Sequence, residues 1–221
     1  MRVRRPAPFY LTRSHITEWR FPVETIQGKT PVELNRTELQ KRLTSYKHIH
    51  LDLGTGDGRF INYMAEQHPC SFFVGVDACR ENLRANSRRR LPNALFVIAS
   101  AQSLPKELNG LISHITINFP WGSLLESLLT GDAKLMNSLA CISNPITALH
   151  VRLNGGALAQ AGTALKAGTD QIYNNMLRSG WELNVPVLMN ANALRNFPSS
   201  WGKRLAFGRD PRAMAMSGHC K

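Results

Sequence analysis

The sequence predicts an α/β fold built on a seven-stranded, mostly parallel sheet whose last strand runs antiparallel. Three observations carry that prediction. Apolar, β-branched runs alternate with segments of helical period five times along the chain. The first run of this series ends on a glycine-rich turn, DLGTGDG at 52–58, that opens a helix. The last two runs have no room for a full helix between them, so they form an antiparallel excursion at one side of the sheet.

Residues 1–22 are arginine-rich, contain prolines and show no period; they read as a basic extension ahead of one folded domain, 23–221. VETIQGKTPVEL (23–34) reads as a hairpin turning at Gly28-Lys29. Asn35 followed by Glu38 starts a helix that carries Leu39 and Leu43 on one face. HIHLDLG (48–54) is the first strand of the main series. RFINYMAEQH (59–68) follows with Phe60, Ile61 and Met64 at helical spacing. SFFVGVD (71–77) is a buried second strand, and a helix over 81–91 ends before Pro92. ALFVIAS (94–100) and HITINF (114–119) are the third and fourth strands. A helix over 123–142 is broken near Gly131, and ITALHVRL (146–153) is the fifth strand. Residues 154–169, rich in Gly, Ala and Thr, fit no single element. Residues 170–179 form a helix closed by Gly180. WELNVPVLM (181–189) is the sixth strand, 190–202 a loop and Lys203–Arg209 the seventh strand.

With 221 residues, 43% of them hydrophobic, the chain can bury one sizeable core. No apolar run approaches the roughly 18 residues of a membrane span, and no apolar stretch of a secretory signal follows Arg2, Arg4 and Arg5. A soluble, cytoplasmic monomer that does not engage membranes is the expectation. Cys70, Cys79, Cys141 and Cys220 form no CxxC pair and lack metal-ligand spacing with histidine, so no metal site is expected. Lys and Arg number 27 against 15 acids, a net charge of +12 that points to a polyanionic partner.

The glycine loop narrows the ligand. GxGxG differs from the dinucleotide fingerprint, and Asp57 inside it would repel a phosphate at the helix start. An acidic loop suits a cationic ligand. S-adenosylmethionine carries a sulfonium and an amino group, and Gly54, Thr55, Gly56 and Asp57 would cradle it, with Asp52 facing its amino-acid end. The alternative is a purely structural turn. Asp77 closes the second strand 25 residues after Asp52, where a carboxylate accepts both ribose hydroxyls or, alternatively, caps the next helix. Ser100, Ala101 and Gln102 leave a slot for the adenine ring, and Ser123 completes the donor site. A Rossmann-like sheet with this loop and this antiparallel ending is the architecture of class I methyltransferases.

On the substrate side, NFPWG (118–122) follows the fourth strand, so Trp121 belongs beside the methyl donor. Trp201 lies in the loop before the seventh strand. Two indoles above a cofactor either sandwich a flipped base or are half-buried core aromatics. Together HLDLGTGDGR (50–59), GVD (75–77), SLP (103–105), FPWG (119–122) and WGKRLAFGR (201–209) resemble the aminoglycoside-resistance 16S rRNA methyltransferases of the NpmA/KamB type. The similarity runs from about residue 24 to the C-terminus, and the two tryptophan motifs are its most specific part. It implies methylation of N1 of a decoding-site adenine in the small ribosomal subunit and the aminoglycoside resistance that follows. It also implies S-adenosylmethionine on Asp52 and Asp77, with the adenine held by Trp121, Trp201 and Arg209. Where the family has a further arginine, this chain has Pro211, with Arg212 one position away.

The positive charge is then assigned to rRNA. Arg80, Arg84 and Arg88 recur every four positions on one predicted helix face, joined by Arg89 and Arg90 and opposed locally by Glu81 alone. Lys203, Arg204 and Arg212 form a second cluster, and Arg152 with Lys166 a further loop near the RNA. Adenine N1 has a lone pair and needs no base, and His48, His50 and His114 read as structural. Two alternatives stay open. Asn118-Phe119-Pro120-Trp121 is a variant of the Asn-Pro-Pro-aromatic signature of adenine-N6 methyltransferases, and an inactive ribosome-binding factor is the other.

Overall fold

The structure is a computed structural model, and it describes residues 22–199, 202, 204 and 212–221. Residues 1–21 of the basic extension, Trp201, Lys203 and Arg209 lie outside the described residues.

Five parallel strands form the middle of the sheet: β3 (His48–Leu53), β4 (Ser71–Asp77), β5 (Ala94–Ile98), β6 (Ile112–Asn118) and β7 (Ser143–Asn154). The hairpin β1 (Val23–Gln27) and β2 (Thr30–Leu34) adds antiparallel to β5 at one edge. At the other edge β10 (Ala213–Cys220) runs antiparallel between β7 and β8 (Trp181–Leu183), and β9 (Val187–Leu188) also pairs with it. Among the described residues the sheet therefore has ten strands in the order β2-β1-β5-β4-β3-β6-β7-β10-β8, with β9 off this path. The strand order reverses between β3 and β6, and open α/β sheets bind ligands at such a switch point, beyond the C-terminal strand ends.

The antiparallel strand at this edge is 213–220; of the expected strand 203–209 only Arg204 is described, and it is helical, as is Gly202, while the rest lies outside the described residues. Leu205 and Phe207 gave 203–209 the apolar alternation of a strand. AMAMSGHC has small side chains and no β-branched residue, so its period was weak. The strand is instead fixed by its ladder to β7, seven pairs from Ala213↔Asn154 to His219↔Ala148.

Period-two alternation gives the sheet two different faces. Ile49, Leu51, Leu53, Phe72, Val74, Val76, Ile115, Ile117, Leu149 and Val151 face the main core. It is covered by α1 (Arg36–Leu43), α4 (Gly122–Thr130), α5 (Ala133–Ile142), α6 (Gly155–Gln160) and α7 (Leu165–Arg178). Asn35 and Glu38 form the capping box expected for α1. Gly131 takes a left-handed conformation that ends α4, and Asp132 caps α5, so the long helix breaks where the glycine predicted. On the opposite face α2 (Arg59–Gln67) and α3 (Arg80–Leu83) cover β4 and β5 through Ile61, Ala65, Leu83, Phe73 and Phe96. A third cluster, Phe119, Leu194, Phe197 and Ala213, joins the end of β6 to α8 (Ala191–Arg195) and the start of β10.

The helix expected over 81–91 is two pieces. α3 stops at Leu83, and 86–89 form a separate 3-10 turn. Asn86 and Ser87 bond away from a helical ladder. Asn86 donates to the Asp57 carbonyl, and Ser87 accepts from the Gly28 N–H and donates to the Arg84 carbonyl. Arg80, Arg84 and Arg88 therefore do not share one helix face.

Candidate donor and substrate site

The β3–α2 loop turns on left-handed glycines, Gly54 (φ 70°), Gly56 (φ 59°) and Gly58 (φ 76°). Two of them do different work. A Cβ on Gly58 would lie 2.4 Å from Cε1 of Phe96, so this glycine lets the loop pack on the sheet. A Cβ on Gly56 would meet nothing within 4 Å, because it would point into open space. Gly56 borders a cavity of about 290 Å3 over the ends of β3, β4, β5 and β6. Predicted residues Gly54, Gly56, Asp77, Ser100, Ala101, Gln102, Trp121 and Ser123 line it together.

Asp77 stands on the rim. Its Oδ2 accepts the Gly56 N–H (2.9 Å), and its Oδ1 accepts the Cys79 N–H (2.8 Å) and Asn82 Nδ2 (3.3 Å). One carboxylate thus pins the glycine loop and the start of α3, although the N-cap of α3 is Cys79 and not Asp77. Gln102 is oriented by donating to Ser127 Oγ (2.7 Å) and by its contact with Ser100 Oγ.

Asp52, Thr55 and Asp57 do not line the cavity. Asp57 turns outward to Arg59, accepting its N–H and pairing with its guanidinium. Asp52 is buried under the cavity floor and accepts from Thr116 Oγ1 (2.7 Å) and Asn118 Nδ2 (2.8 Å). Burial raises its carboxyl to a pKa of about 6, and these hydrogen bonds hold it from rising further. Asn118 does line the cavity, so Asp52 reaches the site through it. The sequence reading weighed Asn118 only as a proline-motif asparagine; Asn82, Phe119, Pro120 and Leu124 were not anticipated in the lining. Phe119 holds a left-handed backbone (φ 53°), unusual for a residue with a Cβ.

Arg152 is not on a loop. It is in β7, register-paired with Asn118, and its half-buried guanidinium donates to Asn118 Oδ1 (2.8 Å) and lies 5.0 Å above the Phe197 ring. Burial lowers its pKa, and Asp52 partly offsets that shift. Lys166 begins α7 and pairs with Asp170. The arginine cluster is also less bare than its sequence neighbourhood suggested. Arg80 pairs with Glu24 (2.8 Å), Arg84 with Glu81 (3.0 Å) and Arg89 with Glu66. Glu24 and Glu66 come from β1 and α2, too distant in sequence to be counted as local compensation. Arg88 and Arg90 have no acidic partner among the described residues. Arg204 and Arg212 are exposed.

The family model for the NpmA 16S rRNA (adenine(1408)-N(1))-methyltransferases matches residues 24–220, beginning inside β1. The chain belongs to this family. The Escherichia coli enzyme of that description is 30% identical over 212 residues, 88% of this chain and 97% of that protein. The one from Streptoalloteichus hindustanus is 28% identical over 201 residues, 84% and 93% of the two chains. The crystal structure of the 16S rRNA methyltransferase KamB aligns with a TM-score of 0.80 at 25% identity, covering 90% of this chain and 99% of that one. S-adenosylmethionine is the cosubstrate of the family. The NpmA-type cavity fits it here. An open space bordered by a glycine without a Cβ, a rim carboxylate and the small residues Ala99, Ser100 and Ala101 suit a ribose and a flat ring. Among the described residues no helix is long and apolar enough to cross a membrane, and no His, Cys, Asp and Glu cluster could hold a metal.

Proposed function

We propose that this protein transfers a methyl group from S-adenosylmethionine to N1 of adenine 1408 in 16S rRNA of the small ribosomal subunit. The host ribosome thereby becomes resistant to aminoglycosides. The observation that carries the reading is the composition of the cavity wall. Asp77 is the one titratable residue among the described residues that line it, and its oxygens hold the glycine loop and α3. A site without a spare base suits a nucleophile that attacks with a lone pair it already has, as adenine N1 does.

Bound S-adenosylmethionine supplies an electrophilic methyl group on a sulfonium. Asp77 accepts its ribose hydroxyls, Ser100, Ala101 and Gln102 flank its adenine, and Gly54, Gly56, Asn118 and Ser123 border its amino-acid end. Trp121, together with Trp201 and Arg209, holds the flipped target base. The new N1–C bond forms as the S–C bond breaks, so positive charge passes from sulfur to the base, and tryptophan faces accommodate that cation. The protein contributes alignment in a dry pocket and no proton transfer. Arg84, Arg88, Arg89, Arg90, Lys203, Arg204 and Arg212 dock rRNA phosphates, and folded subunit RNA supplies shape specificity. The protein works as a cytoplasmic monomer.

The adenine-N6 alternative loses ground on one contact. In that chemistry the asparagine carbonyl accepts from the exocyclic amine, whereas Asn118 Oδ1 already accepts from Arg152. Primer extension on 16S rRNA from a drug-sensitive host expressing the gene tests the reading. A strong stop at the target adenine is expected, because an N1 methyl group blocks pairing. Read-through, with tritium from labelled donor found on N6, would replace it. Calorimetric binding of S-adenosylmethionine excludes the inactive-factor alternative.

A further inference from the structure

Arg152 was expected to touch RNA, and its surroundings give it a different task. Its backbone carbonyl accepts the Phe119 N–H (2.8 Å), tying down the left-handed residue two before Trp121. Its guanidinium fixes the Asn118 amide from one side while Asp52 fixes it from the other. The same guanidinium lies over Phe197. Phe197 in turn stacks on Phe60 (centroids 5.4 Å apart) and meets Phe119 edge-on (5.2 Å). Gly202 folds back onto Phe197 so closely that a Cβ there would lie 2.8 Å from the Phe197 Cβ, and its N–H bonds Ser199 Oγ (2.9 Å). Gly202 is the residue after Trp201. One half-buried residue thus ties the end of β6, three residues before Trp121, to Phe197 and through it to Gly202.

We propose that Arg152 is a positioning residue that locks the end of β6 and the segment around Phe197 into one rigid unit, so that Trp121 meets the adenine in register. The proposal deepens the methyltransferase reading and rests on it. A planar guanidinium suits the task, since it can donate in its plane to Asn118 while its face covers an aromatic ring. A phosphate contact would need the guanidinium free at the surface, and here it is half-buried and engaged on both sides.

Two variants test the lock. Arg152→Met keeps the volume and removes both contacts, and Arg152→Lys keeps a donor and a cation. In Arg152→Met, single-turnover methyl transfer at saturating subunit and donor should fall roughly 10- to 100-fold, the cost of about 1 Å of misplacement. Subunit affinity and its salt dependence should not change, and amide exchange over 191–199 in the free protein should quicken. Arg152→Lys should recover part of the rate. Weakened subunit binding with a shallower salt dependence and an unchanged saturated rate would make Arg152 a phosphate contact and overturn the proposal. So would unaltered exchange over 191–199, or a rate loss that follows the melting temperature in both variants. If wild-type enzyme leaves no primer-extension stop, the functional reading fails instead, and the exchange measurement still decides the lock.

Discussion

β3 and β4 are neighbours in the sheet and each carries an aspartate near its C-terminal end, yet the two acids belong to different regions. Asp77 is on the cavity rim, hydrogen-bonded by the glycine loop and by the start of α3. Asp52 is sealed below the cavity floor among Thr116, Asn118 and the nearby Arg152. The register explains the difference. Asp52 pairs with Gly75, two residues short of Asp77 along parallel strands. Two residues of strand span about 7 Å, one layer of side chains. Asp77 therefore reaches the cavity, and Asp52 reaches only the residues behind its walls. A carboxylate at a strand end lines such a cavity only if it occupies the last layer.

The largest expected effect breaks the rim. Asp77→Ala removes an ionic acceptor worth roughly 1.5–3 kcal/mol and frees two loop N–H groups, so donor affinity should fall about 10- to 150-fold by calorimetry. Asp52→Ala should weaken donor binding less, because it acts through Asn118; equal losses would erase the distinction between rim and floor. A second test compares glycines of one loop. Gly58→Ala forces a methyl group against Phe96 and should lower the melting temperature by roughly 5–10 °C through overpacking and a strained left-handed backbone. Gly56→Ala has only the backbone strain and should melt closer to wild type, but it adds a methyl group at the cavity's border and should reduce donor affinity. If Gly56→Ala binds the donor as wild type does, the cavity is not the donor site.

The rim was legible in the sequence and the floor was not. Glycines that turn a strand into a helix, and an acid that closes the next strand, are local features, so Gly54, Gly56 and Asp77 were found from spacing alone. The slot at 100–102 and Trp121 follow from the rule that ligands lie beyond strand ends. Asp52 was recognised, but its depth depends on inter-strand register, which no local pattern encodes. Arg152 shows the same limit. It carries the charge of an RNA contact, and only the Asn118↔Arg152 pairing turns it inward. Glu24 and Glu66 neutralise arginines from elements remote in the chain. The strand at 213–220 was missed because AMAMSGHC is held by its partners on both sides and shows little propensity of its own. Long-range pairing is the common element in all four cases.

A smaller effect separates bare from paired arginines on the docking face. Arg88→Glu with Arg90→Glu should weaken subunit binding and flatten its dependence on salt by about two counterions, leaving donor affinity intact. Arg80→Glu or Arg89→Glu also breaks an ion pair with Glu24 or Glu66, so some of its effect should appear in the melting temperature. Exposed pairs of this kind are worth at most about 1 kcal/mol, so that shift should be slight. If all four reversals flatten the salt dependence equally, the acidic partners do not matter to docking.

The smallest effect is the most specific to the floor. Asp52 has a pKa of about 6 in the folded protein, raised chiefly by burial, against 3.8 ordinarily. The folded state therefore binds the extra proton, and its stability falls as pH rises from about 4 to 6, then stays level above that. His50, on the same sheet face, acts oppositely. Burial first, then neighbouring histidines, lowers it to about 3, so its contribution is full above pH 6.5 and is lost as pH falls. The two slopes overlap and partly cancel in the wild type. Asp52→Asn removes one of them. Its stability, followed by denaturant melts from pH 4 to 6.5, should rise more steeply with pH than that of wild type. One group changes the slope by at most one proton, about 1.4 kcal/mol per pH unit. A parallel pH profile for Asp52→Asn and wild type would mean that the floor carboxylate is not held in a desolvated layer.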